Sequence, residues 1–346
     1  MSERDELLAS VANEIRTYRK EDLLEPTKEH VERWLNQFTP AKQLPFLREF
    51  EHVIKQTFIT QKKVEDHLLE LVTTRKLTGD DPKAYWSAAN FLSIQQNGQS
   101  QKEMLKLFSS CLKDKYGLDI DDCGKDGGDF IYLDDVMFSG NRVGNDLQSW
   151  IVNVAPKSAT VHIIVTALHS GGEYFAKKRL QSVIEQSEKE ITISFWRAHT
   201  VENRKSYKNS SGVLWPTEVP DVDQVQAYVK SQERFPFDPR QSGAILTQPF
   251  SSEAGRQVLE SEFLIAGAKI RAMSENPKES MRPLGFSPFG VGFGSMTVTY
   301  RNCPNNCPLA MWWGDPEAKS GALHWYPLLQ REGYSSARNV FNGLAL

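Results

Sequence analysis

The chain is 346 residues long, 40% hydrophobic and 25% charged, with a formal net charge of −3. Such a length points to two domains, or to one domain with appendages, in an ordinary globular protein, and the charge draws it to neither nucleic acid nor membrane. No apolar run reaches transmembrane length, the opening MSERDELLAS does not read as a signal peptide, and four cysteines make no disulfide framework here, so a cytoplasmic protein is expected.

Apolar spacing predicts helices over the first 78 residues. Leu7, Leu8, Val11, Ala12 and Ile15 share one face. Thr27 is placed to cap a second helix whose face is Val31, Trp34, Leu35 and Phe38, ending at Thr39-Pro40. Phe46, Leu47, Phe50, Ile54 and Phe58 mark a third. Val64, Leu68, Leu71 and Val72 mark a fourth, which stops near Gly79-Asp80-Asp81-Pro82. This helical region, residues 1–78, carries no chemistry of its own and reads as a packing layer, a cap or a partner surface.

From about residue 84 strands alternate with helices, the pattern of a parallel sheet with right-handed crossovers. Ala89–Gln95 reads as a strand, Asn97 to Ser100 as a turn, and Gln101–Tyr116 as a helix with Met104, Leu105, Phe108 and Leu112 inward. A glycine-rich connection, Cys123 to Gly128, leads to Phe130–Arg142, FIYLDDVMFSGNR. There, four apolar residues precede two adjacent carboxylates, Asp134 and Asp135, a loop with Ser139 and Gly140, and a helix over Val143–Val152. Thr160–Leu168 is a third strand, His169 to Gly172 a connection, Glu173–Glu188 a helix and Glu190–Trp196 a fourth strand. Prolines break up residues 201–250; a helix returns at Ser252–Arg271, then a glycine-rich stretch, Gly285–Gly294, and a strand, Ser295–Tyr300. The segment NCPNNCPLAMWW, Asn302–Trp313, is expected to end in a buried strand from Leu309. Residues 79–346 would then form one α/β domain, with non-adjacent pieces completing one sheet and a lid.

Chemistry concentrates in Phe130–Arg142. A strand that brings paired acids and a hydroxyl–glycine loop to the carboxyl end of an α/β sheet delivers them where ligands bind. Backbone N–H groups of a loop entering a helix make a phosphate site. Adjacent acids suit the vicinal hydroxyls of a ribose, or a metal bound with it. The combination indicates a sugar phosphate; the plainer reading is a buried strand ending in an acidic turn. Upstream, Gln96, Asn97, Gly98, Gln99 and Ser100 set amides, a glycine and a hydroxyl before a helix, donors for an anion or simply a capped turn. His169 and His199 stand at strand ends as acid–base candidates, and the Ser170-Gly171-Gly172 turn offers close approach to a ligand. Cys303 and Cys307 lack the second cluster a zinc site draws on, so a tight loop is preferred. Gly290 to Gly294 misses the dinucleotide-binding spacing. Trp312 and Trp313 suit either base stacking or a core.

The run Phe130–Arg142 resembles the binding motif of type I phosphoribosyltransferases: four hydrophobics, two acids, then a loop of small hydroxyl residues and glycine, here Val136 to Arg142. The resemblance implies a parallel-sheet α/β core with an N-terminal helical region (1–78) and a hood-like C-terminal extension (about 201–346). It also implies that Asp134 and Asp135 hold the ribose hydroxyls, or a metal indirectly, and that Ser139, Gly140, Asn141 and Arg142 hold the 5′-phosphate of phosphoribosyl pyrophosphate. Gln96 to Ser100 would hold the pyrophosphate, with Mg²⁺ bound alongside. Phe138 stands where a small residue is usual, Asn141-Arg142 replaces the usual ending, and the upstream loop lacks a basic residue unless Lys102 reaches in. More narrowly, the chain resembles the PRTase-CE family of bacterial conflict systems in its W-L-x-Q-F segment (Trp34 to Phe38), the segment FLSIQQNGQSQ (Phe91 to Gln101), the Asp-Asp motif and an Asn-x-Pro-Asn segment before a Trp pair. That likeness implies an anti-phage effector acting on nucleotide metabolism, partnered in some settings by a retron reverse transcriptase and its RNA. The alternative is a regulatory module that senses a nucleotide or phosphoribosyl pyrophosphate, or binds a partner, without turnover.

Overall fold

The computed structural model describes residues 2–331 except 97, 126, 244–247, 288 and 293. In chain order its elements are α1 (Glu3–Glu14), α2 (Lys28–Leu35), α3 (Gln43–Thr57), β1 (Phe58–Ile59), α4 (Gln61–Val72), α5 (Arg75–Thr78), α6 (Pro82–Ala88) and β2 (Asn90–Phe91). Then come α7 (Ser100–Tyr116), β3 (Phe130–Met137), α8 (Asn141–Asn153), β4 (Ser158–His169), α9 (Ser170–Ser187) and β5 (Glu190–Val201). The remainder holds α10 (Asp223–Lys230), α11 (Glu253–Ala272), β6 (Val298–Thr299) and α12 (Leu309–Trp312). No helix among the described residues is long and apolar enough to cross a membrane.

The chain packs as two units, one joining residues up to Thr60 with those from Asn203 onward, the other being Gln61–Glu202. The division differs from the expected break after residue 78, because the fourth helix of the sequence reading packs with the sheet unit, α4 lying against α7.

In the first unit, α1 begins with a reciprocal Ser2–Asp5 capping box and α2 with Thr27 accepting from the His30 N–H, as its position predicts. Trp34 is fully buried, its ring 4.8 Å from Phe50 and 5.0 Å from Phe38, and its indole N–H donates to the Ala310 carbonyl at 2.7 Å. The W-L-x-Q-F segment is therefore core, sharing a cluster with Phe46 and Phe263. Phe58 leaves the third helix to pair in β1 with Val298 of β6, in parallel. These two strands form a sheet of their own, instead of completing the main one. The expected strand from Leu309 is one helical turn, closed by a 2.8 Å bond from the Trp313 N–H to the Leu309 carbonyl. A short apolar run buried on all sides has no period to tell helix from strand.

In the second unit, β2, β3, β4 and β5 lie side by side in that order, all parallel. The register sets Phe130 opposite Val161, Tyr132 opposite Ile163 and Asp134 opposite Val165. The apolar members of these pairs pack with Leu147 and Trp150 of α8 and Ala176 and Leu180 of α9. Asp134 thus stands on a sheet face that is otherwise hydrophobic. β3 runs on through Val136 and Met137, two residues further than the loop of the sequence reading, and α9 starts at Ser170, so the Ser170-Gly171-Gly172 turn is its first helical turn.

Candidate functional site

β3 carries Asp134 and Asp135 near the carboxyl end of the sheet. Adjacent strand residues point to opposite faces, and the two acids differ accordingly: Asp134 is buried and Asp135 half-buried. Burial, and then the charge of Asp135, push the Asp134 carboxyl up to about 7. The opposing influences are a hydrogen bond from Ser100, one from the Asp135 N–H at 2.9 Å, and the nearby Arg142 guanidinium. Its carboxyl group thus accepts two hydrogen bonds from this chain and feels the charge of a guanidinium.

Phe138–Gly140 joins β3 to α8. Gly140 has φ +74°, and a Cβ there would lie 2.4 Å from the Gly172 carbonyl oxygen. Gly172 has no more room: its Cβ would meet the Phe138 carbonyl oxygen at 2.2 Å. The loop and the first turn of α9 touch backbone to backbone, and only glycine at both places allows it. Ser139 is exposed and its hydroxyl accepts from the Asn141 N–H at 3.3 Å, which turns the loop into the amino end of α8. Phe138 packs edge-on to His169, with ring centroids 4.9 Å apart.

The upstream loop is built by two glutamines that the sequence reading took as the end of a strand and the start of a helix. The Gln101 Oε1 accepts from the N–H groups of Ile94 (2.7 Å) and Gln95 (2.9 Å); the Gln95 Oε1 accepts from the Gln101 N–H, and its amide donates to the Ser100 hydroxyl at 2.9 Å. This also explains the shortness of β2, expected over Ala89–Gln95. After the Leu92 N–H bonds to the Ile131 carbonyl, the next N–H groups go to a side chain instead of β3. Gly98 turns with φ +99°. Asn97 lies outside the described residues. Gln96 and Gln99 are exposed, and Lys102 is exposed on α7. The two glutamines were recognisable only as a Gln-x5-Gln pair flanking a glycine and a serine.

The two predicted loops meet. Arg142, from the first turn of α8, places Nη1 3.4 Å from the Ser100 hydroxyl and 3.4 Å from the point where a Cβ on Gly98 would sit. Asp134, Ser100, Gly98 and Arg142 therefore form one cluster, with Ser139 and Gly140 in the loop that leads into α8.

His169 is fully buried, and burial holds its imidazole down at about 3, so it is neutral near pH 7 and serves packing, not acid–base exchange. His199 is exposed on β5. Sequence reasoning missed His162, whose Nε2 lies 3.0 Å from Asp129 and Nδ1 2.6 Å from the Ser194 hydroxyl, with Tyr85 donating to the same Asp129 oxygen at 3.2 Å. A carboxylate only accepts, so Nε2 carries the proton and Nδ1 accepts from Ser194. His162 precedes by three residues the Val165 that pairs with Asp134, roughly 10 Å along the strand. It belongs to the opposite end of the sheet. There a groove of about 890 Å³ opens between Asn90, Asp129, Thr160 and Thr192. Its one lysine, Lys189, is spent on the carbonyls of Ile151 and Ala155 at 2.6 and 2.7 Å. The acids and loop donors converge at the carboxyl end, and the candidate site is placed there.

Among the described residues no three His, Cys, Asp or Glu side chains gather to hold a metal ion. Cys303 and Cys307 are buried and free, and burial beside Cys303 pushes the Cys307 thiol up. Trp312 is buried, its indole donating to the Cys307 carbonyl at 2.9 Å, and that of Trp313 donates to Ala322 at 2.7 Å, which makes both parts of the packing.

The PRTase-CE family model matches residues 31–331, a span that contains both loops and the Asp-Asp strand. No curated protein and no solved structure matches the chain.

Proposed function

The chain belongs to the PRTase-CE family, and on that premise we propose that this phosphoribosyltransferase-like protein binds a ribose 5-phosphate of the phosphoribosyl pyrophosphate type, with Mg²⁺, at the carboxyl end of β3. The observation that carries the reading is the junction of the two loops: Arg142 within 3.4 Å of Ser100, above a buried Asp134. Asp135, the more open acid, takes the ribose hydroxyls, and the amino end of α8 with Ser139 takes the 5′-phosphate. Mg²⁺ is usually held by one or two carboxylates plus substrate phosphates, and this donor set fits that pattern better than an all-protein cage. Bound there, it neutralises charge on a departing pyrophosphate. The acids favour positive charge developing at C1′.

A second reading, a sensor without turnover, draws on the burial of Asp134 and the two hydrogen bonds it already accepts, which compete with a sugar for that carboxyl group. Calorimetry with phosphoribosyl pyrophosphate and Mg²⁺ tests binding; no heat at millimolar ligand removes both readings. Pyrophosphate release compared between the wild type and Asp134→Asn/Asp135→Asn then separates them, since equal rates reject catalysis at this motif. An effector role in bacterial anti-phage defence, acting on nucleotide metabolism, rests on the family likeness. A gene neighbourhood of housekeeping nucleotide synthesis would count against it.

A further inference from the structure

The upstream loop has no cation of its own, and a diphosphate bound there needs one. We infer that Arg142 supplies it: the residue belongs in sequence to the 5′-phosphate loop but serves the diphosphate subsite formed by Gly98, Ser100 and the amino end of α7. The inference rests on the ribose-phosphate reading above and deepens it.

Three observations carry it. The guanidinium reaches across from α8 to within 3.4 Å of the Ser100 hydroxyl, so its charge sits over the first turn of α7. Gly98 lies directly beside it, the place of its Cβ being 3.4 Å from Nη1 and 3.7 Å from Cζ, so the guanidinium is in contact distance of the loop backbone. Independently, Gln101 is fully buried in that same first turn, its Oε1 fixed under the loop, while its Nε2 has no hydrogen-bond partner among the described residues. A buried donor without a partner is costly, and this one belongs to the same first turn whose Ser100 hydroxyl the guanidinium approaches. A guanidinium binds phosphate through paired N–H donors that no serine or amide supplies. The ligand class is an inorganic or sugar-linked diphosphate.

Calorimetry on the full chain with Mg²⁺ tests this with three probes: inorganic pyrophosphate, ribose 5-phosphate and phosphoribosyl pyrophosphate. Arg142→Gln is expected to weaken pyrophosphate roughly 10- to 100-fold, the range for losing charge-assisted hydrogen bonds, and to leave ribose 5-phosphate within about threefold. Ser139→Ala is expected to show the reverse pattern, and Arg142→Lys to retain part of the pyrophosphate affinity. Arg142 is exposed, so these variants should fold, and unchanged melting curves would verify it. Loss of ribose 5-phosphate with pyrophosphate spared in Arg142→Gln would overturn the assignment, as would a wild type that binds ribose 5-phosphate but not pyrophosphate. A wild type that binds none of the three overturns the ribose-phosphate reading, and this inference with it.

Discussion

Replacing Asp134 with Asn should stabilise this protein above neutral pH. The carboxyl rises from its usual 3.8 to about 7 in the folded chain, chiefly through burial and secondarily through Asp135. A group whose folded value lies above its unfolded one contributes stability in full below the unfolded value and loses it as pH climbs through the folded one. The window here runs from about pH 4 to about pH 7. A gap of about three pH units at roughly 1.4 kcal/mol each gives about 4 kcal/mol that ionisation of Asp134 costs the fold in alkali. Asparagine keeps the acceptor for Ser100 and the Asp135 N–H and does not ionise. The stability difference, variant minus wild type, should therefore be roughly 2–3 kcal/mol larger at about pH 8 than at about pH 5. Urea unfolding at the two pH values measures it. A difference independent of pH, or a variant less stable than the wild type at the higher pH, would refute the argument that Asp134 is a buried charge retained against the fold.

The two glycines at the loop contact should tolerate no side chain, in contrast to Gly127. Gly140→Ala and Gly172→Ala each drive a Cβ into a carbonyl oxygen at 2.4 and 2.2 Å, and should cost about 1–3 kcal/mol and abolish ribose 5-phosphate binding. Gly127→Ala shares a positive φ but meets nothing within 4 Å, so it should cost about 1 kcal/mol and leave binding intact; equal effects at all three positions by melting and calorimetry would deny the close contact its role. Trp34→Ala removes the centre of the aromatic cluster and should cost about 3–5 kcal/mol. Thermal unfolding would reveal it, and a loss below about 1 kcal/mol would return the W-L-x-Q-F segment to surface duty.

The parallel core was legible because its signals are local. The unbroken apolar runs of β3 and β4, Met104 and Phe108 on α7, and a capping threonine at α2 each follow from a few neighbouring residues. The pairing of Phe58 with Val298 was not legible, because two residues from distant parts of the chain carry no period and nothing local marks them as partners. The same limit hid the division of the first helices between two units, since an amphipathic face states that it is covered but not by what. His162, Asp129 and Ser194 were invisible for a related reason: three polar residues on three segments become a network only through strand register.

Within the site, two departures from the phosphoribosyltransferase pattern weigh differently once they are placed. Phe138 stands where a small residue is usual, and the structure sends its ring against His169, a buried imidazole that burial keeps neutral. The ring is absorbed by packing, and what the loop needs from that position is the carbonyl that lies against Gly172. The missing upstream base is answered by Arg142, itself the second departure, since it stands where the motif usually ends in a small hydroxyl residue. Losing a hydroxyl from one loop and gaining a guanidinium shared with the other is then a single exchange. It predicts that charge-reversing Arg142 harms a diphosphate more than restoring a threonine at that position benefits a monophosphate. Asp134 ties the two loops together from below, accepting from Ser100 and lying close to Arg142. An anion drawn to Arg142 would raise the affinity of Asp134 for its proton still further, so diphosphate binding should take up a proton near neutral pH and weaken as pH rises through about 7. Calorimetry in two buffers of different ionisation enthalpy reads that proton directly, and binding heats that do not depend on the buffer would remove Asp134 from contact with the diphosphate.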